Sequence, residues 1–596
     1  MDSQTQNKKC QNCKQEFRIE PDDFQFYEKI QVPVPTFCPD CRLQRRMTFR
    51  NERTLYKRKC NAPGHNEELI SIFSPDNKQR AYDHTAWWSD NWDPLSYGRE
   101  VDFSRPFFEQ LKELWLEVPD IALMNINPVN SDYCSVTEGN KNCYLVFGGD
   151  FNENSLYSSF IFHSKECVDC HWGSRSELNY ETIDCIKCSR LLYSRYCEGC
   201  YNSAFLFNCR NCHDCFGCTN LVNKSYCIFN IPYSKEEYLE QLKKIDVGSF
   251  SAVSGAKERF RREFMKYPRR YARVLRSVNS TGDNLEGVKN CKHCFEVFEG
   301  AEDCRNLWLI YSGVKDCFDI DHSGLQSESS IDSSTIYPGN RVMFSRFTFS
   351  SHNIQYSYNS HNSSYLFGCV GLRDKQYCIL NKQYMKEEYA NLVSRIINHM
   401  NDMPCVDKKG NVYKYGEFFP AEISPFAYNE TVAQELFPLK KEEILMQGLR
   451  WKEPEGRDYK PTIRAYELPD NILNVPDSII KEIIECAHIN SNCAEQCSTA
   501  FRIIPQELAF YRHMKIPLPR LCPNCRYYER IKQRNSLKLW KRKCHCLGGE
   551  SANGAYKNTT AHIHGSAPCA VEFETTYSPE QADIIYCEKC YQAEVV

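Results

Sequence analysis

The sequence lacks any long run of apolar residues. No segment approaches the roughly 20 apolar residues that a membrane-spanning helix requires. The chain begins MDSQTQNKKC, which contains no apolar targeting segment. We therefore expect a cytoplasmic protein with no membrane partner.

Signatures of the common catalytic classes are also missing. The sequence contains no phosphate-cradling glycine loop, no HExxH pair, no nucleophile elbow and no deaminase signature. The net charge of -3 gives no global excess of either sign. These features favour a protein without catalysis. The enzymatic alternative is a metal-dependent hydrolase or nuclease with an open zinc position near His562 and His564.

Cysteine, by contrast, is abundant, with 35 residues in a chain of 596. An odd total and an intracellular location both make a disulfide framework the weaker explanation. Reduced cysteines that bind metal or pack in a core are the two readings that remain.

Two copies of one cysteine-rich module occupy the ends of the chain. The order CQNC, FRIEP, VPVP, CPDCR, KRKC recurs as CAEQC, FRIIP, IPLP, CPNCR, KRKC. Two close cysteine pairs per copy match the tetrahedral requirement of zinc, and the second pair of each is expected at a helix start. The predicted zinc ligands are Cys10, Cys13, Cys38, Cys41, Cys493, Cys497, Cys522 and Cys525.

Each copy resembles the zinc-ribbon or treble-clef domains of bacteria over roughly fifty residues, because CxxC, a following Phe, FY and CPxCR recur in that order. The whole chain resembles uncharacterised cysteine-rich proteins with two zinc ribbons from candidate-phyla bacteria. That resemblance implies a treble-clef fold and bound zinc, and it implies no activity.

A second site is expected after each ribbon. In the C-terminal copy Cys544 and Cys546 are followed by Cys587 and Cys590, which predicts another zinc site. Aligning FSPD with YSPE places Asp83 and Ala86 opposite Cys587 and Cys590, so the N-terminal copy has lost this cysteine pair. The N-terminal residues that can form a remnant site are Cys60, His65 and His84.

Basic runs with interleaved aromatic residues follow each ribbon and recur at 254–278. Lys and Arg neutralise phosphate, and aromatic rings stack on unpaired bases. This pattern predicts nucleic-acid binding, with RNA preferred and DNA possible; the alternative is a solvated helix face. The predicted contacts are Arg42, Arg45, Arg46, Arg50, Arg526, Arg530, Arg534, Lys541 and Arg542.

Short cysteine-containing segments fill the middle of the chain at steps of 12 or 13 residues, such as Cys188 to Cys200 to Cys212. A short period without helical spacing predicts stacked β-coils. Five further CxxC pairs lie here, which either bind metal or pack inward as thiols; packing is favoured. Each series ends in a related segment that predicts a helical cap, the first with capping-box spacing at Ser234 and Glu237.

The expected fold is multi-domain and mainly β, with a treble-clef zinc ribbon at each end of a two-part β-solenoid. The function expected is zinc-stabilised nucleic-acid binding without catalysis; the alternative is a scaffold that binds protein partners on the solenoid. The predicted segments are 1–100 (ribbon module), 101–129 (helical connector), 130–232 (solenoid, first half), 233–283 (cap and basic connector), 284–383 (solenoid, second half), 384–476 (cap and Pro-rich linker) and 477–596 (ribbon module).

Overall fold

A computed structural model describes residues 5–453, 460–489, 493 and 496–595. Residues 454–459 of the predicted linker lie outside the described residues. Within the described ranges, no helix combines the length and apolar character needed to cross a bilayer. The mainly β architecture, the two-part solenoid and the cysteine clusters near both ends confirm the predicted fold class.

The N-terminal module begins with a hairpin and two short helices, the second of which starts at a cysteine knuckle. Cys38 is the N-cap of that helix and Pro39 occupies its first position, where a missing N–H costs nothing. The elements are strands Gln6–Lys9 and Glu16–Ile19, helices α1 (Pro21–Ile30) and α2 (Pro39–Met47), strands Tyr56–Lys59, Glu68–Ser71 and Ala81–Tyr82, helix α3 (His84–Trp88), a 3₁₀ turn at Pro94–Tyr97 and helix α4 (Phe107–Glu117).

Residues 120–232 and 269–383 form the two halves of the solenoid, and helices lie between them. Residues pair in parallel with those 12 positions later in the first half, as in Leu156 with Val168, and 11 to 13 positions later in the second. The first-half strands are Asp120–Ile121, Asn125–Ile126, Thr137–Glu138, Ser159–Phe162, His171–Ser174, Ile183–Ile186, Ser189–Leu192, Tyr201–Ala204, Cys227–Ile228 and Ile231–Pro232.

The second half repeats this coil and ends in another hairpin. Its strands are Arg269–Arg270, Val274–Leu275, Gly282–Glu286, Cys294–Phe298, Trp308–Ile310, Val314–Lys315, Phe318–Ser323, Ser327–Glu328, Ile331–Met343, Arg346–Gln355, Tyr358–His361, Ser364–Phe367, Gln376–Ile379 and Lys382–Gln383.

A shorter period of three residues explains the sequence of the coils. Through much of the first half every third residue has a positive φ, for example Asn154, Tyr157 and Phe160. Asn and Asp tolerate this left-handed conformation best, which accounts for the recurring Asn-Cys and Asp-Cys pairs. The backbone therefore turns every three residues, and four such turns complete one 12-residue coil.

The residue after each turn points into the coil. Ser155, Ser158, Ile161 and Ser164 in one coil are all almost completely buried, and the next coil places Cys167 and Cys170 at the first two of these positions. Only small or slender side chains fit so close to the axis. Consecutive inward positions are three residues apart, so two cysteines there necessarily read as CxxC.

A helix follows each half, as predicted. The first, α5 (Lys235–Lys243), has the complete capping box between Ser234 and Glu237. A longer basic helix, α6 (Phe250–Phe264), follows and ends before Pro268. The second half is capped by α7 (Lys386–Asp402).

The two solenoid halves lie side by side with opposed axes. Phe160 meets His322 edge-to-face, whereas Trp172 stacks on Phe298 at 5.0 Å and Asp184 accepts a hydrogen bond from Asn284. Residues later in the first half thus meet residues earlier in the second. This arrangement gives the molecule an approximate twofold relation between its halves.

The proline-rich segment after α7 is not the extended, partly ordered linker that its composition suggested. Phe418 and Phe419 are completely buried against Phe49 and Trp115, so aromatic burial fixes this segment on the N-terminal module. The remaining elements in this segment are strands Cys405–Val406 and Val412–Tyr413, helices α8 (Val432–Leu436) and α9 (Lys441–Met446), and 3₁₀ turns at Ala421–Ile423, Tyr428–Glu430, Ala465–Glu467 and Ile472–Asn474.

The C-terminal module repeats the element order of the N-terminal one. It consists of a 3₁₀ turn at Asp477–Lys481, strands Ile484–Glu485 and Ala500–Phe501, helices α10 (Pro505–Met514) and α11 (Pro523–Ile531), strands Trp540–Lys543, Glu572–Thr575 and Ile585–Tyr586, and helix α12 (Glu588–Val595). The duplication in the sequence is therefore a duplication of structure.

Candidate metal centres and the buried arginines

The first centre is the predicted one. Cys10, Cys13, Cys38 and Cys41 converge at the start of α2, with their sulfur atoms within 4.8 Å of one another. The backbone N–H of Cys38 donates to Cys10 Sγ at 3.2 Å, a contact that stabilises a thiolate. Four sulfur donors in this arrangement can hold a metal ion.

The second centre uses a cysteine that the sequence pattern did not reveal. Cys486, Cys497, Cys522 and Cys525 form the tetrad, and the N–H of Cys522 donates to Cys486 Sγ at 3.2 Å, as Cys38 does to Cys10. Cys486 is therefore the counterpart of Cys10, and the prediction that Cys493 completes the tetrad is corrected.

Cys493 lies beside this tetrad. Its sulfur is 3.8 Å from Cys525 Sγ, and it groups with His488 and Cys525. Ten residues separate Cys486 from Cys497, which hides the knuckle from a search for CxxC. The usable signal was the strand ending at Glu485 immediately before a cysteine, as the strand ending at Lys9 precedes Cys10.

Shared hydrogen bonds between thiols split the pKa values within each tetrad. Contacts from Cys38 and Cys41 lower the pKa of Cys10, and the reciprocal contacts with Cys10 and Cys41 raise the pKa of Cys38. In the second tetrad, hydrogen bonds from Cys486 and other thiols likewise lower the pKa of Cys522. A lowered pKa favours the thiolate, which is the form that binds metal.

The third centre differs from its prediction by one ligand. Cys544, Cys569, Cys587 and Cys590 form the tetrad, so Cys569 takes the position that had been assigned to Cys546. The N–H of Cys587 donates to Cys544 Sγ at 3.2 Å, and a hydrogen bond from the Cys544 thiol lowers the pKa of Cys587 to about 5. The physical reason for this difference is the loop before Glu572, which folds back and brings Cys569 close to the other three cysteines.

Cys546 instead faces the two histidines. Together with His562, His564 and Cys590 it forms another group of four donors, in which His564 Nε2 lies 3.3 Å from Cys590 Sγ. His562 Nε2 is 2.9 Å from Glu594 Oε1. The predicted open position near the histidines is therefore a set of four protein donors that shares Cys590 with the third centre.

Several solenoid cysteines make the hydrogen bonds expected of packed thiols. Cys200 and Cys212 are completely buried, and the sulfur of Cys200 donates towards the backbone oxygens of Glu198 and Cys209. Burial raises the pKa of Cys209 well above its ordinary value, which keeps that thiol protonated. These hydrogen bonds to carbonyl groups favour the packing interpretation of the five CxxC pairs.

The arginines predicted to contact phosphate are directed into the protein instead. Arg42, Arg45, Arg46 and Arg50 of the α2 segment are each at most 4% exposed. Arg42 lies 2.8 Å from Asp319, whereas Arg46 reaches Asp321 at 2.8 Å and Asp332 at 2.6 Å. Arg45 binds Asp332 and Glu417, and Arg50 binds Asp321 and Glu52.

The C-terminal module makes the same use of α11. Arg526 contacts Asp169 and Glu507, and Arg530 lies 2.7 Å from Asp169 Oδ1. Arg526 is 5% exposed and Arg530 is 3% exposed. These six arginines are corrected from phosphate contacts to internal ion-pair partners, because carboxylates of distant coils compensate their buried charge.

Electrostatics agree with that assignment. Burial by itself lowers the pKa of Arg46, but attraction to Asp332 and Asp321 outweighs burial and raises it. Conversely, burial raises the pKa of Asp319 although Arg42 and Arg46 oppose the change. The pairs therefore depend on one another: either partner alone would be an uncompensated buried charge.

Arg534, Lys541 and Arg542 complete the set of predicted contacts. Arg534 is mostly buried and pairs with Glu296. Arg542 is half-buried and donates to the carbonyl oxygens of Tyr577 and Ser578. Lys541 is exposed on the strand Trp540–Lys543, so it alone of the nine predicted residues has a side chain largely open to solvent.

Alternating charges line an exposed edge of each solenoid half. Lys141, Glu153, Lys165 and Glu177 follow one another at 12-residue steps, and Lys141 Nζ lies 3.7 Å from Glu153. In the second half the corresponding series is Lys289, Glu302, Lys315 and Glu328. Each column neutralises itself, so neither presents a continuous basic surface.

Comparisons with known proteins identify no family for this chain. No family model matches it, and no curated protein matches it. Among solved structures, one described as "putative acetyltransferase from Desulfovibrio desulfuricans G20" is similar at 8% identity, over 48% of this chain and 86% of that one. Its TM-score of 0.09 is too low to support an argument about fold or function.

Proposed function

We propose that this chain is a zinc-stabilised scaffold without catalysis, which presents the outer faces of its solenoid to a protein partner. Thiolate sets of four with no other ligand type suit Zn²⁺, and such closed sites stabilise structure rather than leave a position for substrate. The donor sets of all three cysteine tetrads meet this requirement.

The main support for the proposal is the position of the arginine side chains of the two modules. The helix that starts at each zinc knuckle inserts its arginines among carboxylates of a solenoid half: α2 meets the second half and α11 meets the first. Holding zinc at the helix start would therefore hold the module against the coils. The modules thereby connect both ends of the sequence to the solenoid.

The partner surface is inferred from what is left exposed. The self-neutralising columns repel neither acidic nor basic proteins strongly, and their regular spacing of side chains offers a long flat face. Phe151 and Tyr201 are exposed on the first half and stack on His163 and His213. Exposed, ordered aromatic rings of this kind are enriched at protein interfaces.

Nucleic-acid binding is kept as a second candidate, because α6 retains exposed basic residues. Arg261 and Arg262 are exposed, and the neighbouring Arg259 is also exposed and lies over the Phe229 ring. A basic helix of this kind can contact the phosphate backbone of RNA or DNA. Lys541 provides a further exposed positive charge on the C-terminal module.

A salt series separates the two candidates. The zinc-loaded chain and an Arg261→Glu/Arg262→Glu variant would be titrated with labelled single-stranded RNA, structured RNA and duplex DNA. The scaffold proposal predicts weak binding that is equal in both proteins. Tight binding with a steep salt slope that flattens in the variant would favour nucleic acid and overturn it.

A further inference from the structure

The part of each module that follows the ribbon is also duplicated, and its register is identical. Lys59 pairs with Glu68 in the N-terminal hairpin, as Lys543 pairs with Glu572 in the C-terminal one. The next residue in each copy is a cysteine, Cys60 or Cys544. The N–H of Cys60 donates to Glu67 and that of Cys544 donates to Val571, one residue before the returning strand.

The same register aligns the other ligand positions. His65 precedes its returning strand by three residues, as Cys569 does. Asp83 follows the strand Ala81–Tyr82, as Cys587 follows Ile585–Tyr586, and the N–H of each donates to the first cysteine, at 3.4 and 3.2 Å. The third centre, Cys544, Cys569, Cys587 and Cys590, thus corresponds to Cys60, His65, Asp83 and Ala86.

Three of these four N-terminal residues carry donor atoms that bind zinc, and the three donors converge. Cys60 Sγ lies 3.3 Å from Asp83 Oδ2, and His65 Nδ1 lies 2.8 Å from the same oxygen. The other oxygen of Asp83 is occupied elsewhere, because it accepts the N–H of Ala86. Oδ2 is therefore directed towards the cysteine and the histidine.

His65 is held in place beside these donors. Its Nδ1 is shielded from solvent and lies 2.8 Å from a carboxylate oxygen of Asp83 and 3.0 Å from one of Glu67. When it carries no proton, a ring nitrogen in this position can share a divalent cation with the neighbouring carboxylate and thiolate.

Ala86 stands where the fourth ligand would be. Its methyl group cannot coordinate, and it is buried at the start of α3 in the position that Cys590 occupies in α12. We propose that Cys60, His65 and Asp83 bind a divalent cation of the Zn²⁺ class and that the position opposite Ala86 is filled by an exchangeable water or small anion. Three protein ligands and one open position are the arrangement in which zinc keeps an exchangeable ligand.

The geometry also replaces one ligand predicted from the sequence. His84, which we expected beside Cys60 and His65, is exposed on the first turn of α3 and packs near Trp88 at 6.3 Å between ring centroids. The adjacent Asp83 takes its place. His84 consequently provides a matched control, since it lies next to a proposed ligand and outside the donor set.

Metal content tests the site. The full chain and its His65→Ala and His84→Ala variants would be dialysed to equilibrium against micromolar free Zn²⁺, and bound zinc would be counted by mass spectrometry. His65→Ala should lose one equivalent and His84→Ala none, with both variants retaining the fold by circular dichroism. Equal zinc in all three proteins would overturn the proposal.

Ligand exchange tests the open position. In the Co²⁺-substituted full chain, azide should shift the visible absorption bands, because only a site with an exchangeable ligand can admit the anion. The response should disappear in His65→Ala and in Ala86→Cys, where a fourth thiolate would close the site as Cys590 closes its counterpart. The proposed open ligand position would be contradicted if azide left the wild-type spectrum unchanged. It would also be contradicted if Ala86→Cys kept the full response to azide.

Discussion

Arg530 Nη1 lies 2.7 Å from Asp169 Oδ1, and the side chains of both residues are almost completely buried. These residues are 361 positions apart. The C-terminal module is thereby bound to a coil in the first half of the solenoid. Arg46 and Asp321 form the corresponding contact between the N-terminal module and the second half.

Removing Asp169 should be strongly destabilising. Asp169→Ala would leave the buried charges of Arg526 and Arg530 with one fewer carboxylate, at a cost of roughly 3–5 kcal/mol in the free energy of unfolding. Denaturant unfolding monitored by circular dichroism would measure it. Glu153→Ala, which removes an exposed pair with Lys141, should cost less than about 1 kcal/mol; equal effects of the two variants would refute the role of the buried pairs.

The ligand assignment of the second centre predicts different effects for neighbouring cysteines. Cys486→Ser should release one equivalent of zinc from the full chain, because it removes a member of the tetrad. Cys493→Ser should leave the count unchanged. Zinc bound after dialysis would be compared in both variants, and the reverse pattern would restore Cys493 as the ligand.

The inward-facing cysteines of the solenoid should tolerate substitution by serine but not by a larger side chain. Cys200→Ser places a hydroxyl where Ser176, Ser194 and Ser203 already occupy inward positions, so we expect unchanged zinc content and a loss of about 1 kcal/mol. Cys200→Phe should prevent the coil from closing and cost several times more. Loss of zinc in the serine variant would show instead that the solenoid cysteines bind metal.

Acid should weaken the contact between the two solenoid halves through His322. Burial, with a further contribution from Arg50, lowers the pKa of His322 to about 3. The unfolded chain, with an ordinary histidine pKa near 6.5, therefore binds more protons between about pH 6.5 and 3, and stability falls as the pH drops through that window.

The matched variant for this pH effect is His322→Phe, which keeps an aromatic ring beside Phe160 and Tyr337 and does not titrate. The difference in unfolding free energy between wild type and variant should change with pH below about 6.5, favouring the variant in acid. A difference that stays constant from pH 7 to pH 4 would mean that His322 is not buried in its neutral form.

Parts of this structure could be predicted from sequence because they depend on local spacing. The knuckle at Cys38 and Cys41, the 12-residue coil and the capping box at Ser234 all follow from neighbouring residues. The three-residue inner period was harder to recognise, since Cys, Ser, Val, Asn and Ile alternate at inward positions. Its consequence, CxxC at consecutive inward positions, has the same spacing as a zinc knuckle.

The rest depends on contacts between distant residues. A basic run such as that around Arg46 indicates an exposed surface when it is read alone, and its partners Asp321 and Asp332 lie more than 270 residues away. Cys486 was missed for a related reason, because the ten residues before Cys497 separate the members of one knuckle. In both cases the partner residue is brought close by the tertiary fold, so it cannot be predicted from local spacing.

The central claim is that metal at the helix starts holds the modules against the solenoid, and hydrogen exchange measured before and after chelation tests it most directly. Removing zinc from the full chain should reduce amide protection in α2 and α11 and, together with them, in the coils around Asp169 and between Asp319 and Asp332. Undiminished protection of those coils and helices after complete removal of the metal would contradict the account.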